Sequence, residues 1–471
     1  MSGSLAEDIQ YFNEILSVNE NFDVIYRTIN IGGRDACMYL VDGFCKDELM
    51  QKLLQQFMEL TEEDMPGDAH EMSKKCVSYV EVDIQNEWEK IINSLLSGVF
   101  VLLVEGYDKA LLIDSRTYPA RNVEEPDKDK VLRGSKDGFV ETLVFNTALI
   151  RRRIRSTDLR MEMYNAGESS KTDIVVCYMD SRVDHTFLES IKRKIQNIKV
   201  DALTMNQESL AECIYKRKWY NPFPKFKYTE RPDTAAAQVL EGNIVILVDN
   251  SPSAMILPTT IFDVVEEADD YNFPPITGTY LRLTRTLIAL LTYLVTPTYL
   301  LLHIKPEWVP DSFSFILLKE TPNVPLIWQF LLLELAIDGL RLAAVNTPNM
   351  LSTPLSVMAA LVLGEFSVES GWFSSEVLLY MAFVAIANYT QANYELGYAL
   401  KFMRILNLVL TQLLGVWGYI LGILITVFSI AFNKTVSHTS YIYPLIPFDA
   451  GKLKSRLIRR RLPGSREHSD R

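Results

Sequence analysis

Ser94-Leu95-Leu96-Ser97-Gly98-Val99-Phe100-Val101-Leu102-Leu103-Val104-Glu105 reads as a helix end, a glycine, a buried strand and a closing acid. The same order returns in Gln238-Val239-Leu240-Glu241-Gly242-Asn243-Ile244-Val245-Ile246-Leu247-Val248-Asp249. Glycine just past a helix end takes the left-handed backbone that closes the last turn, so both stretches predict helix, cap and strand. Outward toward the N-terminus lies a second matched pair. The strand Cys37-Met38-Tyr39-Leu40-Val41-Asp42 leads into a helix through Leu49, Leu53, Leu54 and Phe57. The strand Val175-Val176-Cys177-Tyr178-Met179-Asp180 leads into a helix through Phe187, Leu188 and Ile191. The two offsets, about 138 and about 144 residues, differ by a short insertion, which is the mark of an internal duplication.

The expected fold is a soluble α/β N-terminal region with two duplicated α/β subdomains, followed by an α-helical transmembrane bundle. An N-terminal helix covers 1–24, with Ile9, Phe12, Ile15 and Leu16 at helical spacing. The first subdomain spans 25–130, a basic linking helix 131–158, and the second subdomain 159–262. The membrane domain covers 280–433 and a basic tail 434–471. In the linking helix the run Leu149-Ile150-Arg151-Arg152-Arg153-Ile154-Arg155 offers either a solvated basic face or a surface for acidic lipid, an acidic partner or phosphate.

The 471 residues carry a formal charge of −12, an acidic balance that excludes nucleic acid as a partner, because phosphate binding needs clustered Lys and Arg. The five cysteines lie in the soluble part without a Cys-x-x-Cys pair, and the five histidines are scattered. Reduced, mostly buried thiols are expected, and no metal site. Met1 to Gln10 has neither a basic opening nor an apolar core, so the soluble part is expected in the cytosol.

No catalytic constellation emerges, so neither an enzyme nor a cofactor is expected. Ile31-Gly32-Gly33-Arg34-Asp35 is a turn between strands and lacks the lysine of a phosphate loop. Asp42, Glu105, Asp180 and Asp249 end strands, where acids cap helices.

A bilayer core of about 30 Å needs about 20 apolar residues per crossing helix. Five segments qualify as candidates: Leu287–Leu302, Pro325–Val345, the short Thr353–Leu363, Val377–Asn388, and Ile405–Phe432. Arg282 and Arg285 before the first, and the Lys/Arg-rich tail, put both ends in the cytosol. That parity favours four full crossings, with the short third segment re-entrant. Charge at membrane depth points to function. Glu334, Asp338 and Arg341 share one helical face through spacings of four and three, as an intrahelical pair or a polar wall. Ser352, Thr353, Ser356 and Glu365 are the candidate pore-lining residues: hydroxyls that replace hydration, and an acid at one mouth.

Thr229-Glu230-Arg231-Pro232-Asp233 with Leu240-Glu241-Gly242 and Leu247-Val248-Asp249 resembles the spore germination receptor A-subunit (GerA) family. So do Phe139–Arg153 and Asn221-Pro222-Phe223-Pro224, and the similarity covers roughly residues 20–450. Asn346–Ser356 and Asn388–Gly397 resemble one branch within it. The resemblance implies the inner membrane of the spore, a role in germination, and a ring-forming homo-oligomer that passes monovalent cations. It implies a small membrane-protein partner and other germination membrane proteins as neighbours, with nutrients bound by a separate subunit. The other reading of the same residues is a non-conducting scaffold.

Overall fold

The computed structural model describes residues 1–117, 132–318, 322–347, 357–391 and 393–459. The chain forms two units. The first is Met1–Lys216 with Phe226–Pro258; the second is Arg217–Lys225 with the chain from Thr259 onward.

The first unit contains the same series of nine elements twice. Its first copy is α1 (Leu5–Leu16), β1 (Val24–Ile31), β2 (Arg34–Val41), α2 (Asp47–Glu59), α3 (Ala69–Lys75), β3 (Val82–Gln85), α4 (Trp88–Leu96), β4 (Phe100–Val104) and β5 (Ala110–Ile113). Its second is α5 (Leu143–Arg153), β6 (Leu159–Ala166), β7 (Thr172–Met179), α6 (His185–Gln196), α7 (Gln207–Ile214), β8 (Lys227–Thr229), α8 (Pro232–Leu240), β9 (Ile244–Val248) and β10 (Ala254–Leu257). Each copy builds an antiparallel five-stranded sheet, in the orders β1-β2-β4-β5-β3 and β6-β7-β9-β10-β8. Register repeats as well: Ala36 faces Val104 in one sheet and Ile174 faces Val248 in the other. Gly98 and Gly242 precede β4 and β9 with φ of +100° and +92°, and Asp42 and Asp180 follow β2 and β7. The offset holds at 138 from α1 to α3 (143 against 5, 207 against 69) and becomes 144 by α4 (232 against 88). The insertion therefore falls in the connection after α7.

The strands form because β-branched and aromatic residues alternate against helices that cover the sheet faces. Phe100–Val104 and Ile244–Val248 are buried throughout, which accounts for their unbroken apolar runs. Ile31-Gly32-Gly33-Arg34 is the expected turn: both glycines take positive φ in a two-residue hairpin loop. The segment read as a linking helix holds α5. It packs Leu143, Leu149, Ile150 and Ile154 into the second core, as α1 packs Phe12 and Leu16 into the first. Its arginine run is not a single basic face. Arg151 is fully buried and binds Asp23 through two hydrogen bonds of 2.7 and 3.0 Å, while Arg153 pairs with Asp137. The Arg151–Asp23 pair, with Asn21 accepting from the Met161 backbone N–H at 2.9 Å, ties the first copy to the second. None of the five cysteines is in a disulfide, and three of them are buried.

The second unit is helical. After α9 (Ile261–Val265) and α10 (Asp269–Asn272) come α11 (Pro275–Ile304) and α12 (Leu326–Asn346). A helix α13 (357–369) follows, wound as π-helix over Leu361–Phe366. Then come α14 (Ser375–Asn388), α15 (Tyr394–Leu414), α16 (Val416–Ala431) and α17 (Ala450–Leu457). Among the described residues one helix, α11, is long and apolar enough on its own to cross a membrane. Large apolar side chains cover the outer faces: Leu335, Leu413, Trp417 and Phe432 are each at least 70% exposed.

Contacts fix the helix directions. Ser374 N–H donates to Gln329 at 2.8 Å where α12 and α14 begin, and Arg341 lies 5.3 Å from the Tyr389 ring where they end. The two helices therefore run the same way. Gly371 accepts from Asn323 at the end where α12 and α14 begin. The third segment read as re-entrant, Thr353–Leu363, lies partly outside the described residues. The segment Ile405–Phe432 is not one long span either. It breaks at Gly415 (φ +56°) into α15 and α16, which pack side by side. The reversal is tight because Gly422 lies against Asn407 and Gly418 against the Leu410 carbonyl, where a Cβ would stand 2.3 and 1.8 Å away.

Candidate functional site

The helical unit buries a cluster of charges. Leu-rich sequence makes α12 helical, and its spacing of four puts Glu334 and Asp338 on one face. On α15 the spacing of three does the same for Lys401 and Arg404. Glu334 accepts from Arg404 Nε at 2.8 Å and Nη2 at 2.5 Å through one oxygen. Its other oxygen lies 3.4 Å from Lys401 Nζ, which also pairs with Asp338. Arg404 Nη1 donates to the Thr292 carbonyl of α11 at 2.9 Å. Glu334, Lys401 and Arg404 are 4%, 7% and 3% exposed. Two acids and two bases cancel formally, and Asp338, 30% exposed, carries the cluster toward the surface; a buried ion is tolerable when it is paired and hydrogen-bonded. The same residues keep α12 and α15 from passing as apolar spans one at a time.

The polar face continues along α15. Asn407 Nδ2 donates to Tyr293 Oη at 3.1 Å, Thr411 donates to Asn407 at 3.3 Å, and Thr426 of α16 donates to Tyr293 Oη at 2.9 Å. Lys401, Arg404, Asn407 and Thr411 succeed one another at spacings of three, three and four, forming one internal stripe about 15 Å long at the helical rise of about 1.5 Å per residue. Thr292, Thr296, Asn407 and Thr411 are fully buried. The arrangement can hold charge inside an otherwise apolar layer and couples four helices, α11, α12, α15 and α16, through it.

Of the residues singled out in the sequence, Glu334 and Asp338 enter this cluster. Arg341 does not pair with Asp338; it stands over the rings of Tyr389 and Tyr398 at 5.3 and 5.5 Å, the geometry of a cation–π contact. Glu365 is exposed on α13, and Ser352, Thr353 and Ser356 lie outside the described residues. Sequence reasoning missed Lys401, Arg404, Asn407 and Thr411. The available signal was charge complementarity, two bases on one apolar helix matching two acids on another. Arg282 and Arg285, read as flanking charges, are also buried. They pair with Glu266, Glu267 and Asp270 at 2.6–3.2 Å, and Arg456 at the end of α17 joins Asp263 and Glu266. Among the described residues no group of three or more His, Cys, Asp or Glu could hold a metal ion.

Comparison with known proteins gives these features a family. The model of the Bacillus/Clostridium GerA spore germination proteins matches residues 10–470, so the chain belongs to the GerA family of spore germination proteins. Stage V sporulation protein AF of Bacillus subtilis is 37% identical over 98% of this chain and 93% of its own length. Spore germination protein KA of the same organism is 25% identical over 98% and 85%. The crystal structure of the N-terminal domain of the A subunit of the Bacillus megaterium spore germinant receptor GerK3 covers 54% of this chain and 94% of its own, at 25% identity and a TM-score of 0.42.

Proposed function

We propose that this chain is a membrane subunit of a spore germination complex in the spore inner membrane, and that its helical units assemble into a ring that passes monovalent cations. The observation that carries the reading is the buried Glu334–Arg404–Lys401 cluster, with half-buried Asp338 at its edge and a hydroxyl and amide extension. Ionised side chains inside an apolar helical layer are costly, and membrane proteins keep them mainly where ions or voltage act. The apolar outer faces suit lipid on one side and a neighbouring subunit on another. In this reading the six helices α11 to α16 cross in alternating directions and the tail, whose Arg456 carbonyl accepts from Arg282 of α11, lies on the cytosolic side. In this reading Ser352, Thr353, Ser356 and Glu365 line the path between subunits, with a small membrane protein and other germination proteins as neighbours.

The test is cation flux from vesicles holding the purified full chain, alone and with co-expressed membrane partners. Flux that falls in Glu365→Lys and stops in Ser356→Leu, with assembly unchanged, supports the ring. A second reading, a non-conducting scaffold, draws on the same cluster: its charges are matched and Gly422 packs tightly on Asn407. Vesicles that stay sealed under every condition, while the chain still gathers other germination proteins, favour the scaffold.

A further inference from the structure

The insertion that distinguishes the two copies has its own chemistry. After α3 the first copy needs six residues, 76–81, to reach β3, and none is basic. After α7 the second copy uses twelve, 215–226, among them Lys216-Arg217-Lys218-Trp219-Tyr220. Most of this longer connection, Arg217–Lys225, belongs to the helical unit. Arg217 pairs with Glu395 at the start of α15 at 3.1 Å, Phe223 shares a core with Leu396 and Tyr441, and Lys225 hydrogen-bonds Asn433 just past α16. The loop is therefore pinned to the end of the helical layer where α15 begins and α16 finishes. What it displays is aromatic: Trp219 is 95% exposed and Tyr220 is 62% exposed, with Lys218 beside them.

A second element at that end has the same make-up. Beyond Tyr441, which anchors to Ile261 N–H, the chain exposes Leu445, Ile446 and Phe448, the last at 70%. It then enters α17, which holds Lys452 and Lys454 exposed and is capped by Asp449. Two unrelated segments thus bring exposed aromatic or aliphatic side chains and lysines to one end of the layer. Aromatic rings with an apolar body sit at the headgroup level of a bilayer, and lysines beside them are drawn to anionic phospholipid.

We propose that the Arg217–Tyr220 loop and the 445–454 segment form one interfacial edge that inserts Trp219, Tyr220 and Phe448 at headgroup depth and binds anionic phospholipid through Lys218, Lys452 and Lys454. The inference rests on the reading of α11 to α16 as membrane-spanning.

The experiment uses the full chain in phosphatidylglycerol-containing vesicles. Trp219 emission is taken as the difference between the parent and Trp219→Phe, and Trp417 emission as the difference from Trp417→Phe. Lipids brominated high in the acyl chain should quench and blue-shift the Trp219 component, with the loss of most of its intensity. Substituting Lys218, Lys452 and Lys454 by Ser should shift that component back toward the red and lower the phosphatidylglycerol retained through purification. Quenching of Trp417 without quenching of Trp219 overturns the edge while leaving the membrane reading intact; quenching of neither overturns the membrane reading. A Trp219 blue shift that persists in lipid-free detergent and vanishes as oligomers dissociate assigns the loop to a neighbouring copy and also overturns the proposal.

Discussion

At the scale of single residues, the buried cluster behaves as a unit. Arg404→Met leaves Glu334 without the side chain that donates to it twice in a dry site, and removing one partner of a buried pair costs about 3–5 kcal/mol. A marked fall in thermal stability in detergent is expected. The double variant Glu334→Leu with Arg404→Leu should recover much of it, because no lone charge then stays buried and Lys401 keeps Asp338. If the single and double variants melt alike, the pair is not the source of the stability. Thiol chemistry separates the cysteines in the same way. Burial pushes the Cys37 thiol up to about 11, with a hydrogen bond involving Tyr39 opposing it, and pushes the buried Cys177 thiol up as well. Only the thiolate alkylates, so at pH 8 iodoacetamide should modify the exposed Cys213 and spare Cys37 and Cys177 until the protein is unfolded. Raising the pH from 8 toward 10 should not recruit Cys37, since its thiol ionises only near 11; peptide mass mapping reads the outcome.

At the scale of elements, each copy closes on itself through one acid. Glu105, just past β4, accepts from the Leu5 N–H at 2.9 Å, and Asp249, just past β9, accepts from the Leu143 N–H at 3.3 Å. Each carboxylate caps the first helix of its own copy, about 100 residues earlier in the chain, and not the next helix as the strand-end pattern alone suggests. Asp249→Ala should cost about 1 kcal/mol in denaturant unfolding, and Asp249→Asn less, because an amide oxygen still accepts. The glycines grade similarly. At Gly98 φ is +100° and a Cβ would stand 2.9 Å from Phe44, whereas at Gly106 φ is +80° with the nearest atom 4.0 Å away. Gly106→Ala carries backbone strain alone, on the order of 1 kcal/mol. Gly98→Ala adds a collision in a core that cannot yield, so it should lower the unfolding midpoint more.

At the scale of the molecule, the proposed membrane reading makes a statement about sides. Arg456 joins Asp263 and Glu266 ahead of α11, so the tail and the entry to α11 share one end of the layer, while Glu307 follows α11 at the other. A cysteine placed at Glu307 should react with an impermeant maleimide on intact cells, and one at Lys454 only after permeabilisation. Labelling of Lys454→Cys from outside would mean an odd number of crossings and would contradict the end-sharing ion pairs.

The duplication was legible because it is written in local signals. A glycine at a helix end, an apolar run and a closing acid keep their meaning wherever they occur, so Gly98 with Gly242 and Asp42 with Asp180 could be matched from spacing alone. Glu334 and Asp338 stood out for the same reason, as charges in an apolar helix. Their partners did not, because ion pairing between helices depends on which faces meet. Lys401 and Arg404 lie 63 to 70 residues away along the chain. Only packing decided that α12 and α14 run the same way, that the chain reverses at Gly415, and that Arg151 is a buried link between copies. Hydropathy measures a segment against water one at a time. Once packed, α12 and α15 neutralise each other's charges, a property of the pair that neither segment carries by itself.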